Sequence, residues 1–188
     1  TPDPEDVAQP TLNLPLGEYD FTLVVQSSNG LTSQTDTVHV SVVPPPVANA
    51  GEDRVVAFEG EGFVPVTLDG SLSYDPKDTP AKSIVQYRWT GDPDPDDVAQ
   101  PTVLLGPGEY TFTLVVVDNY GFESAADTVT ITVAWPPVAN AGSDIFRLVE
   151  DEGDTVTVTL DGSGSFDPND QSGTKSLVQY MWTGDPDP

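Results

Sequence analysis

Hydrophobic and polar residues alternate with a period of two along most of this chain. The clearest case runs from Gly108 to Val133. Tyr110, Phe112, Leu114 and Val116 fall on one face, with Thr111 and Thr113 on the other. Further on, Val129, Ile131 and Val133 alternate with Thr128, Thr130 and Thr132. Such alternation in β-branched and aromatic residues predicts half-buried antiparallel strands. Asn119 to Gly121, between the two runs, tolerates positive φ and allows a tight turn. The hairpin is the expected inner wall of a sandwich. The same reasoning places strands near Arg54–Phe58, Val64–Asp69, Ile84–Thr90 and Val98–Leu105, with Val85, Tyr87 and Trp89 pointing inward. No segment carries a helical period. Many short strands separated by Gly, Pro, Asp and Asn indicate an all-β chain built as immunoglobulin-like β-sandwiches.

The pattern repeats. Gly17 to Val42 copies the hairpin, with Tyr19 matching Tyr110 and Val38 matching Val129. Pro46-Val-Ala-Asn-Ala-Gly51 returns at Pro137 to Gly142, and Leu68-Asp-Gly-Ser71 returns at Leu160 to Ser163. Gln86 to Pro95 returns at Gln179 to Pro188, with Met181 in place of Arg88. A repeat of about 90 residues is a whole small domain rather than a solenoid unit. The expected organisation is the C-terminal half of a module at 1–43, a complete module at 46–134 and the N-terminal half of a module at 137–188. In the first half, strands are expected near Val7–Leu14, Tyr19–Gln26 and Thr35–Val42. In the last, Val156, Val158 and Leu160 and then Val178, Tyr180 and Trp182 are expected inward. Pro44-Pro-Pro46 and Trp135-Pro-Pro137 read as stiff linkers, because proline fixes φ. Trp135 stands where the earlier copy has Pro44; it either packs between modules or serves as a binding aromatic.

Four motifs in this order resemble the polycystic-kidney-disease (PKD) domain. They are Ala48-Asn-Ala-Gly51, Leu68-Asp-Gly-Ser-Leu-Ser-Tyr-Asp-Pro76, Tyr87-Arg-Trp89 and the Gly108-Glu-Tyr110 hairpin. The resemblance covers nearly the whole chain. One departure is the turn after Trp89, where that family often continues Asp-Phe-Gly-Asp-Gly and this chain has Thr90-Gly-Asp-Pro-Asp-Pro95. The resemblance implies an extracellular or cell-surface sandwich that spaces, adheres or assembles, with no catalysis of its own. It also implies a candidate Ca²⁺ site in the loop before the Trp strand, formed by Asn49, Asp75 and Asp78, with Asn140, Asp167 and Asp170 as its copy. Hard cations take clustered carboxylate and carbonyl oxygens on a turning backbone. Solvated loop acids are the other reading.

Charge sharpens the picture. The 188 residues hold 31 acidic and 6 basic side chains, a net charge of −25. That argues against nucleic acid and anionic membrane as partners, since both select basic patches. There is no cysteine, so neither disulfides nor thiol chemistry enter. No apolar run is long enough to insert in a membrane. The single histidine, His39, falls on the polar face of its strand, and no nucleophile or acid–base pair stands out. Tyr120 and Phe122 at the hairpin tip are the expected exposed aromatics.

Both ends of the chain fall at one phase of the repeat. The two halves together would make one module, so one expectation is head-to-tail assembly with copies of itself, residues 137–188 completing residues 1–43 of a neighbour. A longer covalent array is the alternative. The functional expectation is a structural or adhesive extracellular repeat, the building block of a surface fibre or adhesin stalk. The second reading is an accessory polysaccharide- or protein-binding module of a secreted hydrolase.

Overall fold

The structure is a computed structural model and describes residues 3–76, 84–151, 153–170 and 177–184. Eight strands are assigned among them, and no helix. β1 (Gly17–Leu23) and β2 (Asp36–Val42) form an antiparallel hairpin. β3 (Arg54–Ala57), β5 (Ile84–Thr90), β7 (Gly108–Asp118) and β8 (Asp127–Ala134) form one sheet in the order β3-β8-β7-β5. β4 (Val64–Thr67) and β6 (Thr102–Leu105) form a second sheet. β3 runs parallel to β8, while the β5–β7, β7–β8 and β4–β6 pairs are antiparallel. This is the all-β, immunoglobulin-like arrangement that the alternation predicts.

The two sheets close on one core. Phe112, Leu114, Val116, Val129, Ile131 and Val133 from the β7–β8 hairpin are buried against Val66, Leu68, Trp89, Val103 and Leu105. The hairpin is therefore the inner wall. Tyr110, at the start of β7, donates its hydroxyl to the Gly106 carbonyl at 3.2 Å, and Tyr19 does the same to Pro15 at 2.9 Å. A tyrosine that returns to the backbone just upstream is a hallmark of immunoglobulin-type sandwiches, and both copies carry it. Trp89 is pinned twice: its indole N–H donates to the Val98 carbonyl and its backbone N–H to Asp97 Oδ1, both at 2.9 Å. Pro65, which lacks a ladder donor, lies exposed on the short β4–β6 pair.

Four expectations are corrected. Val85 is exposed, because a bulge between Ile84 and Gln86 shifts the register and leaves Ile84 packed against the core. Residues 7–14 form no strand, and neither do 156–160 or 178–182. In the complete unit the matching segments pair as β4 with β6 and β5 with β7. Alternation alone makes no strand without a ladder partner, since backbone N–H and C=O groups must be paired.

Candidate functional site

The residues that match buried core positions are exposed in the two flanking segments. Leu68 is 1% exposed and its copy Leu160 is 47%; Leu114 is 0% and its copy Leu23 60%; Val129 is 3% and its copy Val38 57%. The C-terminal segment holds an open, mainly apolar cavity of about 340 Å³ lined by Val138, Asn140, Gly162, Tyr180, Met181 and Trp182. The central unit shows how such a face is covered. There a Cβ on Gly70 would lie 2.9 Å from Leu114 Cδ2, so the glycine is the notch into which Leu114 fits. At its copy Gly162, the atoms nearest a Cβ belong to Trp182 and Tyr180 of its own segment.

Among the candidate metal residues, Asn49, Asn140 and Asp167 each close a turn. Asn49 Oδ1 accepts from Gly51 N–H at 3.0 Å, and Asn140 Oδ1 from Gly142 N–H at 2.8 Å. The backbone N–H groups of Asn49 and Asn140 donate to Ser73 Oγ and Ser165 Oγ. Val47 bridges Tyr74 and Val138 bridges Phe166, so each opening segment lies beside its acidic loop. Asp75 is buried, and Asp167 Oδ1 accepts from Asn169 N–H at 2.8 Å. Asp170 donates its backbone N–H to the Asp167 carbonyl at 3.1 Å. Asp78 lies outside the described residues. Among the described residues no group of three or more carboxylates and histidines is placed to hold a metal ion.

Two surface features went unforeseen. Asp118 is buried and accepts from the N–H groups of Tyr120 and Phe122, which shapes the hairpin tip. The tip aromatics are half-exposed, 6.5 Å apart and tilted by 32°. They do not form a flat platform. His39 is exposed as expected, yet its Nδ1 lies 2.7 Å from Asp20 and its Nε2 2.9 Å from Glu18. The hydrogen bond to Asp20, then that to Glu18, raise its pKa above the ordinary 6.5. A raised folded-state pKa stabilises the hairpin fully below the unfolded value, and this is lost as pH rises through the folded value. An NMR titration of His39 is expected to give a pKa above 6.5. Asp20→Asn is expected to lower it; an unchanged midpoint would refute the pairing.

The REJ domain model matches residues 2–98, just over half of the chain. The chain belongs to the REJ domain family. The REJ match runs from the N-terminal segment across Pro44–Pro46 into the central sandwich and ends before β7. The chain is 34% identical over 187 residues to the human dyslexia-associated protein KIAA0319, covering 90% of this chain. It is 31% identical over 182 residues to the mouse KIAA0319-like protein, covering 88%. In both cases it spans 16% of the relative's length. Among solved structures, the Bacteroides ovatus glucan-utilization protein SGBP-B, in complex with a mixed-linkage heptasaccharide, is 17% identical. That likeness covers 81% of this chain and 40% of the other, with a TM-score of 0.22, and bears on neither fold nor ligand. Among the described residues no helix is long and apolar enough to cross a membrane.

Proposed function

We propose that this REJ-family chain is a non-catalytic structural or adhesive stretch of PKD-like sandwiches in an extracellular, cell-surface protein. Its modules are the halves at 1–43 and 137–188 flanking the complete unit at 46–134, and the halves assemble head-to-tail with copies of the same chain. One observation carries this reading: apolar positions buried in the central unit are exposed at matching places in both flanking segments. The β1–β2 hairpin has the same apolar pattern as the β7–β8 hairpin that covers Leu68 and Trp89. It therefore suits the open face around Tyr180 and Trp182. Removing these exposed apolar positions from water is the term that favours association. The opposing force is charge, since each copy carries −25. Association is thus expected to strengthen with NaCl as the repulsion is screened.

Sedimentation equilibrium tests the assembly. The average mass is expected to rise above 20.0 kDa with concentration. Leu23→Asp, which places a charge on an exposed face of the single chain, is expected to hold the mass at the monomer value. A wild-type chain that stays monomeric at all concentrations and salts rules out pairing with its own copies. The proposal extends to Ca²⁺ at the Asn49–Asp75–Asp78 and Asn140–Asp167–Asp170 loops. Runs with Ca²⁺ at constant ionic strength separate binding from screening, because only an ion that prefers the assembled or folded state shifts the equilibrium specifically.

A further inference from the structure

Trp135 follows β8 directly, and both its ends are held. Its indole meets the ring of Phe58 edge-on, with centroids 4.5 Å apart and planes at 83°. Phe58 is itself buried and donates its N–H to the Ala134 carbonyl at 2.8 Å, so this contact belongs to the central sandwich. The backbone of Trp135 is taken by the next unit. Its N–H donates to Asn169 Oδ1 at 2.9 Å, and its carbonyl accepts from Asn169 Nδ2 at 2.6 Å. A side-chain amide that pairs with both groups of one residue copies the two-bond pairing of adjacent strands. Asn169 is oriented beforehand, because Asp167 Oδ1 accepts from both its backbone N–H and its Nδ2, at 2.8 and 2.7 Å. The same loop bridges Val138 through Phe166.

We propose that Asn169 is the clasp of a module–module interface, joining the sandwich that ends at Ala134 to the unit that begins at Pro137. The other linker does not allow the same clasp. At the position of Trp135 it has Pro44, which has no N–H, and at the position of Asn169 it has Lys77, whose side chain has no acceptor. Of the two linkers, the one at Trp135 is fastened through this side-chain pairing, and the one at Pro44 lacks the groups for it. The inference is independent of self-association.

Amide hydrogen exchange on the whole chain, at a concentration where it is monomeric, tests the clasp. In the wild type the Trp135 amide is expected to be protected. In Asn169→Ala it is expected to exchange about fivefold faster, the scale of one ordinary hydrogen bond. The Val138 amide, which donates to the Phe166 carbonyl, is expected to keep its rate. Equal Trp135 rates in the two proteins, or an unprotected Trp135 in the wild type, overturn the proposal. Joint acceleration of Trp135 and Val138 also overturns it, since Asn169 would then support its own loop rather than fasten the joint.

Discussion

Phe112→Ala is expected to destabilise the central sandwich by about 3–5 kcal/mol, the range for removing a large aromatic from a close-packed core. Phe112 is fully buried and lies on the inner face of β7, opposite Val129 on β8. Its removal leaves a cavity that residues of both sheets cannot collapse to fill. Single domains are held by about 5–15 kcal/mol in all, so this one change removes a large share. Urea unfolding, followed by the fluorescence of the buried Trp89, measures it. The matching change in the other hairpin is the control. Phe21 occupies the same place in the repeat but is only partly buried, stacked on Tyr19 with centroids 6.3 Å apart. Phe21→Ala is expected to cost the dilute chain well under half as much. Equal losses at both positions in dilute solution would mean that the N-terminal hairpin is already covered in the free chain.

The contrast between those phenylalanines marks what could be read from residue order. Alternation located β5, β7 and β8 to within two residues at either end, because each has a buried face and a polar one. It could not tell a paired strand from an unpaired one. Residues 156–160 carry the same pattern as β4, but the pattern describes one face and not the neighbour that completes the ladder. Val85 sits at the bulge itself, where one extra residue turns its side chain outward, while Tyr87 and Trp89 beyond it keep the expected inward phase. In the candidate site, Asn49 and Asn140 stand as proposed oxygen donors to a cation. An Asn two residues before a glycine of positive φ (88° at Gly51, 82° at Gly142) is also the signature of a side chain that closes its own turn. That local signal was available, and the structure shows the asparagines in that role. The carboxylates around His39 were legible in principle as well. Asp20 is its direct cross-strand partner, and facing residues of an antiparallel pair interact. The clasp at Asn169 was beyond reach, since it joins two positions in different units whose only link is the path of the chain.

Gly91→Ala is the second large effect. Gly91 follows β5 at the point where PKD-type chains often carry Asp-Phe-Gly-Asp-Gly. A Cβ there would lie 2.3 Å from Phe112 Cδ1 and 2.8 Å from Cε1. Phe112 cannot swing aside, because the whole ring is enclosed by the core. Either β5 moves away from β7 at its end, or the ring leaves its rotamer. Overpacking of this kind costs about 1–3 kcal/mol and sometimes more. The backbone at Gly91 is not in the left-handed region, so the loss is steric and not conformational. A double-mutant cycle separates these causes. Phe112→Leu shortens the ring, and in that background Gly91→Ala is expected to cost much less, with a coupling of about 0.5–3 kcal/mol. Additive losses would show that the glycine serves the turn alone, and that the ring does not dictate the residue that follows the tryptophan strand.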